Sequence, residues 1–149
     1  MRIVMALPVL DLGNDPRLRG CVHGEELKDD ISHNIDVYLT RFKKLGFSID
    51  KILAESKKWV PKLRSFDSEF FDELEGVAIG SGCDFTEIVM LNVRYELIIS
   101  MFKQAEKHQQ SGAVDGCTSF AILPEKTISG DTLLGQTWDW IPGVKTMIS

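Results

Sequence analysis

Cys117 stands directly after Gly116, in the run Asp115-Gly116-Cys117-Thr118-Ser119, and Gln136-Thr137-Trp138-Asp139 follows a short way on. A small residue immediately before a cysteine that opens a strand is the arrangement of a self-cleaving N-terminal nucleophile. The Cys117 thiolate would attack the Gly116 carbonyl and turn the peptide bond into a thioester. Hydrolysis would then leave Cys117 as a new chain start, carrying a thiol and a free α-amine. Such a residue needs no histidine: an α-amine titrates at about 7.7–8.0 and a thiol at about 8.5, so the amine can take the thiol proton near neutral pH.

A Gly-Cys pair by itself is most often a turn entering a strand. Here the setting adds weight. The stretch from Lys103 to Ala113 is polar, unpatterned and contains Ser111-Gly112, as an exposed connector does. After Cys117 the pattern turns apolar in Phe120-Ala121-Ile122-Leu123. A nucleophile at the junction of a loose loop and a strand is where self-cleavage needs it.

The run from Asp115 to Glu125, followed by Gly130 to Trp140, resembles the acyl-CoA:6-aminopenicillanic acid acyltransferase family, also called isopenicillin-N acyltransferases, of the N-terminal-nucleophile hydrolases. Animal relatives of that family include the hydrolase of β-alanyl-dopamine. Three upstream stretches agree in order and spacing: Arg19-Gly20-Cys21-Val22-His23-Gly24, Glu75-Gly76-Val77-Ala78, and Glu87 to Glu96. The resemblance implies Cys117 as nucleophile and autocatalytic cleavage between Gly116 and Cys117. It implies Asp139 as the acidic partner of the cysteine, a role that makes physical sense because a carboxylate near an α-amine orients it. It also makes Arg94 and Glu96 candidates for supporting roles, positioning their helix against the cleavage loop. Small-molecule amides or acyl-CoA-type thioesters are the implied substrates, with the processed α and β portions staying associated. No cofactor is implied, since an acyl-CoA would be a substrate.

The rest of the chain must position these residues. Asp15 is a good N-cap and Pro16 a good first helical residue. Leu27, Ile31, Ile35, Tyr38 and Phe42 follow at helical spacing, so one long amphipathic helix is expected up to Gly46. A second helix is expected from Ile49 to Val60, stopping at Pro61. A third carries Phe70, Phe71, Leu74, Val77 and Ala78 to Gly80-Ser81-Gly82, with Phe66, Phe70 and Phe71 in the core. A fourth begins at Asp84, with Glu87 three residues on, and carries the stripe Ile88, Leu91, Tyr95, Ile98 and Phe102. Residues 118–123 and 132–137 then read as a hairpin. Its inner face would carry Phe120, Ile122 and Leu133 with Trp138 and Trp140.

The expected fold class is α+β. A helical section, residues 1–116, leads into the first hairpin, residues 117–149, of what the resemblance makes an αββα sandwich. That sandwich needs more strands, so the chain is expected to be part of a longer protein. Standing alone, it would be poorly soluble or partly disordered after Ala113.

With 149 residues the chain is of single-domain size, and its net charge of −5, with no basic cluster, argues against nucleic acid. No run approaches the ~20 apolar residues of a membrane span. The N-terminal Arg2 to Leu10, interrupted by Pro8, reads as a strand rather than a signal sequence. Three cysteines without C-x-x-C spacing suit a reducing, cytoplasmic setting and give no metal motif. His23, between Gly20 and Gly24, reads as a packed structural histidine, although a Cys–His pair with Cys117 is a rival arrangement. His33 and His108 read as solvated. A truncated or degenerate relative, acting at most as a binding module, is the alternative to an enzyme.

Overall fold

The computed structural model describes residues 9–105, 117–137 and 143–144, the last four helical residues by backbone alone. The expected N-terminal strand falls mostly in residues 1–8, outside the described residues. At the first helix, α1 (Pro16–Glu26), the Asp15 carboxylate accepts from the Leu18 amide at 2.8 Å. The long helix expected from here to Gly46 is two helices. Leu27 leaves helical geometry (φ −110°, ψ 20°), and α2 (Lys28–Lys44) starts anew. The reason is a change of partner. Only Gly20 and Gly24 of α1 are buried, whereas α2 buries Ile31, Ile35, Tyr38 and Phe42.

Ser48 caps α3 (Ile49–Lys57). Pro61 does not end that helix; it sits in the first turn of α4 (Val60–Phe66), where its missing N–H leaves no bond unmade. The Asp67 carboxylate accepts from the Glu69 and Phe70 amides at the start of α5 (Ser68–Ser81), which closes at Gly82 in the left-handed region (φ 69°). Asp84 caps α6 (Phe85–Asn92) through the Thr86 amide at 2.7 Å. The single fourth helix of the sequence pattern is broken at Val93 (φ −101°, ψ 19°), and α7 (Arg94–Ala105) follows.

The core draws on five helices: Ile31, Ile35, Tyr38 and Phe42 from α2, Ile52 from α3, Leu74 and Ala78 from α5, Ile88 to Leu91 from α6, and Leu97 and Met101 from α7. Of the three phenylalanines expected inside, only Phe71 is; its ring meets Phe85 edge-on at 5.5 Å. Phe66 is 86% exposed at the end of α4, and Phe70 sits on α5 one residue's rotation away from the buried Phe71, Leu74 and Ala78.

α1 is held to α5 by backbone contact. A Cβ on Gly20 would lie 2.1 Å from the Glu73 carbonyl oxygen, and one on Gly76 2.2 Å from that of Arg17. Gly24 and Gly80 are equally tight against Val77 and Cys21. Two of the upstream motifs thus supply glycines, Gly20 and Gly24 from one and Gly76 from the other, that with Gly80 let two helices touch. Arg17 pairs with Glu75 at 2.9 Å, and Arg19 grips Glu73 through Nε (3.0 Å) and Nη2 (2.8 Å). The hydrogen bond to Glu73 raises the Arg19 pKa above its ordinary value.

β1 (Ser119–Ile122) and β2 (Leu133–Gln136) pair antiparallel, with Ser119 opposite Gln136 and Ile122 opposite Leu133, joined through a 3₁₀ turn at Pro124–Lys126. Phe120, Ile122 and Leu133 share one face as the alternation requires. The Phe120 ring lies over Gly135, its cross-strand partner. The architecture is mostly helical with a small two-stranded antiparallel sheet, an α+β arrangement. Among the described residues no helix is long and apolar enough to cross a membrane.

Candidate functional site

Cys117 is exposed, two residues ahead of β1, and its thiol is free. The open end of the hairpin beside it is clasped by two threonines. The Thr137 amide donates to the Thr118 carbonyl at 2.8 Å, and the Thr118 amide donates to Thr137 Oγ1 at 3.1 Å. This clasp carries the register one step past the strands. Gly116, and Asp139 with its flanking Trp138 and Trp140, lie outside the described residues.

Arg94 and Glu96, the candidates for supporting roles, stand in the first turn of α7. The Arg94 guanidinium lies 5.5 Å from the centre of the Tyr38 ring and 5.3 Å from that of Tyr95, both within cation–π range. Its Nη1 donates to the Leu91 carbonyl at the end of α6, and its Nε is buried with no hydrogen-bond partner among the described residues. Tyr38 is core, 2% exposed, while Tyr95 is 45% exposed. Burial of the Tyr95 hydroxyl pushes its pKa up; Arg94 opposes this, and Tyr38 and the Cys117 thiol add to it. Glu96 is exposed on the same turn. Asn92 belongs to the preceding helix and turns back to donate to the Ile88 carbonyl at 2.9 Å. The Val93 turn stands between Asn92 and Glu96.

Tyr95, which fits the apolar stripe expected of a continuous helix, is instead exposed. The break at Val93 buries Leu97 and Met101 instead and leaves Tyr95 at the rim.

Of the histidines, His23 is half-buried within α1 rather than at its start, and its ring makes no hydrogen bond among the described residues. His33, expected to be simply solvated, is exposed but donates from Nε2 to the Gly143 carbonyl at 2.7 Å. Val144 packs against the core beside it, so the segment after the hairpin comes back to α2. His108 lies outside the described residues. Cys21 and Cys83 are half-buried free thiols, and among the described residues no three His, Cys, Asp or Glu side chains gather as metal ligands. An open concavity of about 500 Å³ runs along the hairpin between Ser119–Ala121 and Leu134–Gln136.

No family model matches the chain, and no solved structure matches it significantly. Among curated proteins it is similar to the acyl-coenzyme A:6-aminopenicillanic-acid-acyltransferase 40 kDa form of Emericella nidulans, with 31% identity over 130 residues. The match covers 85% of this chain and 32% of the relative, so the chain spans about a third of that protein's length. The chain is a distant relative of that acyltransferase.

Proposed function

We propose that this chain is the helical section and first hairpin of a self-processing N-terminal-cysteine amidohydrolase or acyltransferase. The Cys117 thiolate attacks the Gly116 carbonyl, the C–N bond breaks, and the nitrogen leaves as the α-amine of Cys117 after taking a proton. Water then hydrolyses the thioester to a Gly116 carboxylate and a free Cys117 thiol. In the mature form the same thiol, its proton taken by the adjacent amine, attacks a small amide or an acyl-CoA-type thioester. The amine or thiol leaving group departs, and the acyl group on Cys117 passes to water or to an amine.

Asp139 orients the α-amine, and Arg94 and Glu96 support the site from the first turn of α7. The thiol and amine carry this chemistry without a cofactor. Residues 1–116 form the α portion, and the residues from Cys117 onward begin the β portion, the first hairpin of an αββα sandwich. Contacts such as His33 to Gly143 and Val144 to the core support continued association of the two portions after cleavage. The three free cysteines suit a cytoplasmic setting.

The observation that carries this reading is the position of Cys117: exposed two residues ahead of β1, where a cut leaves it as a new chain start with its amine beside its thiol. The test is intact-mass spectrometry with N-terminal sequencing on the full-length gene product. Wild-type protein is expected to yield a chain beginning at Cys117, and Cys117→Ala a single uncut chain. Cleavage of the Ala variant at the same bond would remove Cys117 from the mechanism. An uncut wild type would favour the non-catalytic alternative.

A further inference from the structure

We infer that Thr137 is a positioning residue for Cys117, its hydroxyl holding the peptide unit that follows the nucleophile. The inference deepens the reading of Cys117 as a self-processing nucleophile and rests on it for the role in cleavage. Cys117 stands two residues ahead of β1, and its link to the hairpin runs through Thr118. With Ser119 opposite Gln136, Thr118 comes opposite Thr137. Facing residues of an antiparallel ladder either exchange two backbone bonds or make none. Here half of the exchange is made by backbone: the Thr137 amide donates to the Thr118 carbonyl at 2.8 Å. For the return bond the Thr118 amide takes Thr137 Oγ1 as its acceptor, at 3.1 Å. The hydroxyl stands in for the carbonyl that a ladder would offer, and also donates to the Thr118 carbonyl at 3.4 Å. The cause lies further along the chain. Gly143 accepts from His33 Nε2 at 2.7 Å and Val144 packs against the core, so the backbone is leaving β2 for α2.

The consequence reaches Cys117 through covalent geometry. The Cys117 carbonyl and the Thr118 amide belong to one planar peptide unit. Bonds at the Thr118 amide and at the Thr118 carbonyl fix that plane and the next one. The Cys117 Cα is thereby held from its C-terminal side, and its thiol has fewer rotations to search before meeting the Gly116 carbonyl. Holding two reacting groups in this way lowers the entropic part of a barrier. Thr137 also stands two residues before Asp139 in the sequence. One clasp therefore joins the two segments that carry the nucleophile and its proposed acidic partner.

The experiment compares Thr137→Val and Thr137→Ser with wild type in the full-length gene product. Valine keeps the branched shape and the backbone amide and removes the hydroxyl, whereas serine keeps the hydroxyl. Cleavage between Gly116 and Cys117 is followed over time by intact-mass spectrometry. Exchange of the Thr118 amide is followed by fragment-resolved mass spectrometry in a Cys117→Ala background, with the amides of α2 and α6 reporting on the fold. Thr137→Val is expected to cut about threefold more slowly, the lower end of what a hydrogen bond contributes, because Thr118 and Thr137 are both exposed to water. Its Thr118 amide should exchange faster by about the same factor. Thr137→Ser should recover most of both losses. A valine variant that cuts at the wild-type rate would overturn the positioning role, and so would equal slowing by valine and serine. Unchanged Thr118 exchange in the valine variant would overturn the clasp itself. A wild type that is not cut would overturn the role in cleavage together with the processing reading, and Thr118 exchange would then decide the clasp alone.

Discussion

Replacing Gly76 by Ala sets two effects of opposite sign against each other. In an exposed helix interior, Gly→Ala stabilises by about 1 kcal/mol. At Gly76 the new methyl would stand 2.2 Å from the Arg17 carbonyl oxygen and 2.9 Å from the Cys21 nitrogen and the Gly20 Cα. All three are backbone atoms of α1, so no side-chain rotation relieves the clash. Ordinary C···O contacts lie at about 3.3–3.6 Å, so α1 must retreat by about 1 Å. Overpacking of this kind costs about 1–3 kcal/mol. Retreat also pulls on the Arg17–Glu75 and Arg19–Glu73 pairs. With the strain on the ion pairs added, the clash should win, with a net loss of up to about 2 kcal/mol. Because α1 buries only its two glycines, the loss should fall on α1 and spare the core. Amide hydrogen exchange should show residues 16–26 losing protection while α2 and α6 keep theirs, and chemical denaturation should give the net loss. Ile79→Ala, at a 59% exposed position of the same helix, is the control. A Gly76→Ala variant more stable than wild type, with α1 still protected, would refute the backbone contact.

Gly82→Ala should cost about 1–2 kcal/mol for a different reason. Nothing lies within 4 Å of the added carbon, but φ of 69° is strained for any Cβ. Gly82→Asn should recover much of the loss in the same denaturation experiment, since asparagine tolerates that conformation. Asp139→Asn in the full-length protein should lower turnover by on the order of 10²-fold while leaving the melting temperature nearly unchanged. Parallel losses of turnover and melting temperature would make Asp139 a structural turn residue.

Features written over a few neighbouring residues were legible in the sequence. Asp15 and Asp84 cap their helices, Gly82 ends α5, and residues 119–122 and 133–136 pair with Phe120, Ile122 and Leu133 on one face. The position of Cys117 at a strand entry was legible for the same reason. Caps, left-handed stops and strand alternation depend on local backbone chemistry, and the residues concerned carry it themselves.

Tertiary structure decided which face of each helix found a partner. An unbroken apolar period runs through Leu27 and through Val93, yet both positions are turns, because the helices on either side pack in different directions. The same choice left Phe66 and Phe70 outside and reserved α1 for glycine contact with α5. It also moved Tyr95 from an expected core stripe to the surface. Periodicity along one segment shows that a face is apolar, but the partner that covers it comes from distant parts of the chain.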